Sequence, residues 1–178
     1  EIWPSGIALA GDILAHPGRV RAGRVLELGC GVGVTAAVAL ASGARLTVTD
    51  YAPEALVLTR VTCLRHAGHE PDRAERLNWR DPTALRALAG DQPFDVVLGA
   101  DLLYERRDIV PLLAALDILI APGGALWLAE PGRPPAAEFL EVLKRGGWRD
   151  DSTRWDGPWA DPDDTGVEVQ THWLRRPP

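Results

Sequence analysis

The stretch Val25-Leu26-Glu27-Leu28-Gly29-Cys30-Gly31-Val32-Gly33 decides the fold. Arg24 to Leu28 reads as a short buried strand, which breaks on three alternate glycines before an alanine-rich helix, Val34 to Ser42. Glycines leave the backbone bare, so a ligand can approach the N–H groups that open the helix. The spacing Gly31-x-Gly33-x-x-Ala36 formally satisfies a dinucleotide-binding pattern. A tight strand-to-helix turn, however, needs the same glycines.

The alternation continues outward from this turn. Arg45 to Thr49 is a second strand ending at Asp50, and an amphipathic helix runs from Pro53 until Gly68 stops it. A third strand is expected at Arg76 to Trp79, followed by a helical turn at Asp81-Pro82. Phe94 to Gly99 forms the fourth strand, and Asp108 is expected to cap a helix that ends near Ile120, before the turn Pro122-Gly123-Gly124. Ala125 to Glu130 is the fifth strand, Pro134 to Lys144 a helix, and Trp148 to Trp155 with Val167 to Leu174 a hairpin. A further helix, Ser5 to Ala15, precedes the first strand. This order predicts an α/β fold, a Rossmann-like doubly wound sheet of about seven strands closed by a C-terminal antiparallel hairpin.

At 178 residues the chain is sized for one domain spanning residues 1–178, and its 46% hydrophobic and 25% charged residues suit a globular fold. It opens on Glu1 and contains no methionine, so the native N-terminus is expected to be missing. No apolar run reaches the roughly 18 residues of a membrane span. The net charge of -6 opposes general nucleic-acid binding. Cys30 and Cys63 form no disulfide framework, which points to a reducing cytoplasm. His66, His69 and Glu70 straddle Gly68 without completing a metal site.

In a doubly wound sheet the ligand sits beyond the carboxyl ends of the strands, next to the first one. Asp50 closes the second strand, where a carboxylate takes the ribose hydroxyls of a nucleoside; as a residue before Ala52-Pro53 it also suits a helix start. Glu27 discriminates among ligands. A carboxylate just before the glycines opposes a pyrophosphate but attracts the amino group of a ligand with an amino-acid tail and a cationic sulfur. S-adenosylmethionine has that chemistry, and a dinucleotide-dependent oxidoreductase is disfavoured.

The nonapeptide 25–33 together with Thr49-Asp50 resembles the seven-β-strand methyltransferases. Trp3-Pro4-Ser5-Gly6, Asn78-Trp79 and Gly99-Ala100-Asp101-Leu102-Leu103-Tyr104-Glu105 are similar to the protein-lysine methyltransferases known as family 16, whose D-x-x-Y signature falls on Asp101 and Tyr104. Glu130-Pro131-Gly132-Arg133-Pro134 resembles bacterial relatives of the lysine methyltransferase of the electron-transfer-flavoprotein β subunit. The resemblance implies a cofactor pocket formed by Trp3, Glu27, Gly29, Gly31, Gly33, Asp50, Trp79 and Ala100, with Asp101 and Tyr104 facing an incoming amine. It implies a protein substrate with a target lysine, with a small amine or a non-catalytic binding module as alternatives. Flavoprotein-directed enzymes tend to carry an aromatic where this chain has Leu102-Leu103, so their substrate does not transfer with the resemblance.

The residues also carry independent meaning. Trp79 beside Arg80-Asp81 can be a stacking wall or a satellite of the core, and Trp3 can equally be a staple at a helix start. Asp101 and Tyr104 are the pair on which a catalytic role falls, the alternative being a helix-capping Asp and a packed Tyr. Freeing a lysine amine of its proton at pH 7 costs about 4.6 kcal/mol, so a lysine-directed site must combine a carboxylate that binds the ammonium with surroundings that favour the neutral amine. The absence of N-P-P-Y or D-P-P-Y after the fourth strand argues against planar base and amide nitrogens as acceptors.

Overall fold

The computed structural model describes residues 2–178. Its elements run α1 (Pro4–Ala15), β1 (Arg24–Leu28), α2 (Val34–Ala41), β2 (Arg45–Asp50), α3 (Pro53–Ala67), β3 (Arg73–Arg76), α4 (Pro82–Ala89), β4 (Phe94–Ala100), α5 (Ile109–Leu119), β5 (Ile120–Glu130), α6 (Pro134–Arg145), β6 (Arg149–Trp155) and β7 (Val169–Arg175). The strands form one sheet in the order β3-β2-β1-β4-β5-β7-β6, parallel except for β7, which is antiparallel to both β5 and β6. Because β1 neighbours both β2 and β4, the chain reverses its winding there, and that reversal opens the crevice predicted beside the glycine loop.

Both faces of the sheet are covered, which explains why the central strands are buried along most of their length, Glu27, Thr47 and Thr49 included. Leu26 and Leu28 pack with α4, α5 and α6 on one face. Val25 packs on the opposite side with α1 and α2. Glu27 alternates with Leu26 and Leu28 and therefore shares the α1–α2 side with Val25. Helix α1 is fixed there by a buried hydrogen bond from Trp127 Nε1 to Asp12 Oδ2 (2.9 Å). Its Gly11 also lies against the indole of Trp155 from the hairpin, and these contacts set the position of Trp3 at the head of the helix.

Three sequence expectations are corrected. Strand β3 is Arg73–Arg76, earlier than Arg76 to Trp79, because its register with β2 ends at Asp50↔Arg76 and the chain then leaves the sheet as a loop. Asp108 makes no capping hydrogen bond at α5; its carboxylate pairs with Arg80 instead. Pro122-Gly123-Gly124 is carried inside a longer β5, with a register irregularity opposite Phe94 and Val96 in place of a break in the strand.

Gly33 marks where the glycine loop meets α3. Its φ is +84°, and a Cβ there would lie 2.7 Å from the Thr59 Cα, so accommodating it requires moving backbone. Gly33→Ala is expected to lower the unfolding free energy by about 2–4 kcal/mol. A Cβ at Gly31 meets nothing within 4 Å. Gly31→Ala should therefore cost only about 1–2 kcal/mol, for its left-handed backbone. Urea denaturation of the two variants side by side would check this order.

Candidate active site

A cavity of about 660 Å³ opens at the carboxyl ends of the parallel strands, a size suited to a ligand of nucleoside scale. Trp3, Gly29, Gly31, Asp50, Trp79, Ala100, Asp101 and Tyr104 all line it. They come from the head of α1, the β1 loop, the end of β2, the loop after β3 and the end of β4, so only the folded sheet brings them together. Glu27 and Gly33 are not on its walls. Gly33 serves the contact with α3, and Glu27 lies beneath the glycine loop.

Asp50 ties the glycine loop to its surroundings. One carboxylate oxygen accepts the Gly31 N–H and the other the Ala52 N–H, each at 3.0 Å. The residue thus organises the start of α3 and also walls the cavity. The Cys30 N–H donates to the Thr49 carbonyl (3.0 Å), and Thr59 Oγ1 donates to the Gly31 carbonyl (3.2 Å), completing the loop's fixation. The face of Gly31 is left open, so the backbone there is free to meet a ligand.

Glu27 has 3% of its surface exposed, and its Oε2 has no hydrogen-bond partner. Burial, and then the charge of Asp50, push its carboxyl up to about 8. At neutral pH it is therefore mostly protonated, and attraction of a cationic ligand requires that ligand to draw the proton off. Cys30 and Cys63 are both free and buried, and burial pushes each thiol up to about 12, so neither is a nucleophile at neutral pH.

The turn after β4 builds the other wall. Asp101 adopts φ +55°, a left-handed conformation for a residue with a side chain, held by its N–H donating to Ala129 O at 2.9 Å. Strain of this kind persists only where surrounding structure enforces it, and it is concentrated at functional sites. The turn drives Leu102 back over Gly99 and Gly29: a Cβ on Gly99 would collide with its Cδ1, and one on Gly29 would lie 3.1 Å from its Cδ2. Leu102 is thus a wedge between the two loops, and Leu103 is buried in the core.

Asp101 is 5% exposed and is not free. Its two oxygens accept from Arg133 Nε and Nη2, both at 2.9 Å, and the guanidinium carbon stands 4.7 Å from the centre of the Tyr104 ring. Burial, followed by the charge of Asp101, raises the Tyr104 phenol above its ordinary value, keeping it a neutral donor. Arg133 arrives on the short linker between β5 and α6. There Glu130 accepts the Gly132 N–H at 2.7 Å, and the Glu130 carboxylate stands 3.7 Å from the buried His172. Burial opposes a charge on His172, but the hydrogen bond to Asp150 and the negative charges of Asp150 and Glu130 prevail and raise its pKa.

Tyr51 and Arg80 carried no functional reading in the sequence, and Asn78 entered only through the Asn78-Trp79 resemblance. Arg80, paired with Asp108, and Asn78, whose Oδ1 accepts the Arg80 N–H at 3.0 Å, line the cavity along with Tyr51. No local pattern announces the Arg80–Asp108 pair, since the partners lie far apart in sequence. Arg133 lay within the stretch that carried the resemblance, but nothing in that stretch indicated its partner. Among the described residues, no group of three or more His, Cys, Asp or Glu side chains gathers as a metal site. No helix there is long and apolar enough to cross a membrane.

Residues 1–145 match the family described as lysine methyltransferase. The chain belongs to that family. The resemblance drawn from Asp101, Tyr104 and the glycine loop is thus borne out at family level. Among curated proteins, the ubiquinone biosynthesis O-methyltransferase of Xanthomonas campestris is 32% identical over 122 residues, covering 67% of this chain and 48% of the relative. The chain spans about half the length of the curated relatives it matches. The solved N-methyltransferase NodS of Bradyrhizobium japonicum in complex with S-adenosylhomocysteine superposes with a TM-score of 0.70 at 18% identity, covering 98% of this chain and 89% of NodS. Magnesium protoporphyrin IX methyltransferase from Synechocystis with bound S-adenosylmethionine also gives 0.70 at 14% identity, over 96% of this chain and 77% of that one. These likenesses establish the fold.

The buried Glu27 makes a testable demand on stability. A carboxyl whose folded pKa lies above its unfolded value contributes fully below the unfolded pKa, and the contribution is lost as pH rises through the folded one. Between pH 4.5 and about 8 the ligand-free protein should therefore lose stability, on the order of 4 kcal/mol from this group. Glu27→Gln should flatten that slope, as measured by denaturation across the range. An unchanged slope would show that Glu27 ionises freely in the folded state.

Proposed function

We propose that this family member transfers a methyl group from S-adenosylmethionine to an amine nitrogen, with a protein lysine side chain as the acceptor. Methyltransferase membership rests on the match over residues 1–145, and S-adenosylmethionine is the cofactor that goes with it. The residues fit that cofactor: the open face of Gly31 allows backbone approach, the Asp50 carboxylate on the wall suits ribose hydroxyls, and Trp79 offers a flat apolar surface for a base. Glu27, two residues before Gly29, keeps one carboxyl oxygen without a partner. Bound, the cofactor supplies a methyl group on a cationic sulfur.

The observation that carries the amine reading is the pairing of a buried carboxylate with an aromatic ring on the cavity wall, Asp101 with Tyr104. A carboxylate and an aromatic face together form a receptor for an organic cation. Asp101 draws in the ammonium form and aligns it. Partial desolvation in the cavity, together with the positive charge a bound cofactor would bring, would favour loss of its proton to solvent and so free the lone pair that Asp101 has aligned. Tyr104, a neutral phenol, can hydrogen-bond to the amine. The two free thiols suit a reducing compartment, the cytoplasm. A second reading, oxygen as the acceptor, is favoured by the curated relatives, which are O-methyltransferases.

Two variants and one labelling experiment test the proposal. Asp50→Ala should weaken S-adenosylhomocysteine binding roughly tenfold to a hundredfold in calorimetry, from lost charge-assisted hydrogen bonds worth about 1.5–3 kcal/mol. Asp101→Asn should retain that binding within about threefold yet lose transfer by a factor of at least about a hundred. Incubation of the protein with labelled cofactor and a bacterial lysate, followed by mass spectrometry, should yield Nε-methyllysine. Label found only on a hydroxyl of a small molecule would establish oxygen transfer instead.

A further inference from the structure

We propose that Arg133 is a built-in occupant of the acceptor site, a cationic side chain that fills the Asp101–Tyr104 receptor until a substrate amine displaces it. The inference rests on the amine reading above and names how acceptor access is controlled. Three observations converge. Arg133 grips Asp101 with two hydrogen bonds of 2.9 Å and lies 4.7 Å from the Tyr104 ring centre, so its guanidinium makes with the receptor both contacts an alkylammonium would make. Asp101 and Tyr104 wall the cavity while Arg133 does not, so the guanidinium caps the receptor from outside the cofactor space. The side chain of Arg133 is 36% exposed against 6% for Asp101, which leaves the cation a path into solvent and its partner none.

The energetics require exchange of one cation for another. A carboxylate as buried as Asp101 is costly to leave uncompensated. The receptor is therefore always filled, and a lysine ammonium can enter only as the guanidinium leaves, charge for charge. The linker is suited to this movement: Glu130 holds the backbone at Gly132, so the loop stays fixed while the long Arg133 side chain swings. An occupant of this kind reduces apparent acceptor affinity by the fraction of time the site is blocked. It discriminates against weakly bound amines and leaves cofactor binding untouched.

The test uses the protein saturated with S-adenosylhomocysteine and titrated with Nα-acetyl-lysine methylamide, followed by NMR or calorimetry. Arg133→Ala should bind this probe about tenfold or more tighter than the unaltered protein, with cofactor affinity unchanged. Added methylguanidine should refill the gap, competing with the probe in Arg133→Ala far better than in the parent. Arg133→Lys, which keeps the charge but loses the fork, should show intermediate affinity, and it decides the matter if the alanine variant fails to fold. Asp101→Asn should lose the probe altogether. Equal or weaker probe binding in the Arg133 variants, with Asp101→Asn still deficient, overturns the occupant role and leaves Arg133 as a positioning partner of Asp101. Undiminished probe binding in Asp101→Asn removes the amine reading itself.

Discussion

The carboxylate of Asp50 is the point on which the site depends. It ends β2, and by accepting the N–H groups of Gly31 and Ala52 it binds the β1 loop and the head of α3 to the same two oxygens. Backbone donors at helix starts are unsatisfied by construction, and a carboxylate is their strongest available partner. Once this bond is made, the glycine loop cannot collapse into the crevice, and the face of Gly31 stays open. Gly33 then packs on Thr59, and burial of Glu27 under the loop follows from the same closure. The elevated pKa of Glu27 is thus a consequence of architecture: a second acid held close to Asp50 and away from water.

The opposite wall is organised by a different carboxylate. Asp101 sits in a strained backbone conformation at the end of β4, and the turn it makes folds Leu102 across the glycines of both neighbouring strands. The wedge couples the two halves of the site mechanically, since neither glycine could bear a side chain without moving it. The cavity mouth carries two acid–arginine pairs, Asp101–Arg133 and Asp108–Arg80. Each of these two carboxylates is matched by a guanidinium, so the charge presented to an acceptor there is close to balanced.

Much of this was legible in the residue order. The alternation of apolar runs with helical stretches predicts the seven-stranded sheet and its terminal hairpin because strand burial on both faces and helix amphipathicity leave different periods. Eight of the ten residues singled out line one cavity because strand ends are where a doubly wound sheet gathers its loops. The misplacements have local causes. Strand β3 is a short, charged edge segment, Arg73-Ala-Glu-Arg76, with no hydrophobic run to mark it, whereas the more apolar Leu77 and Trp79 pack onto the core from a loop. Asp108 looked like a cap because Asp before an apolar helix usually is one, but an arginine from a distant loop claims it.

The sequence by itself determined the sheet, the glycine loop, the acid after β2 and the family, since each is written in neighbouring residues whose periodicity and spacing are set by local backbone geometry. Only the tertiary structure decided the state of the acids. That the Glu27 carboxyl is pushed up depends on burial, and that Asp101 already holds a cation and Asp108 is spoken for by Arg80 depend on partners 32 and 28 residues away. Charge and solvation are properties of the space around a group, and that space exists only once the chain has closed.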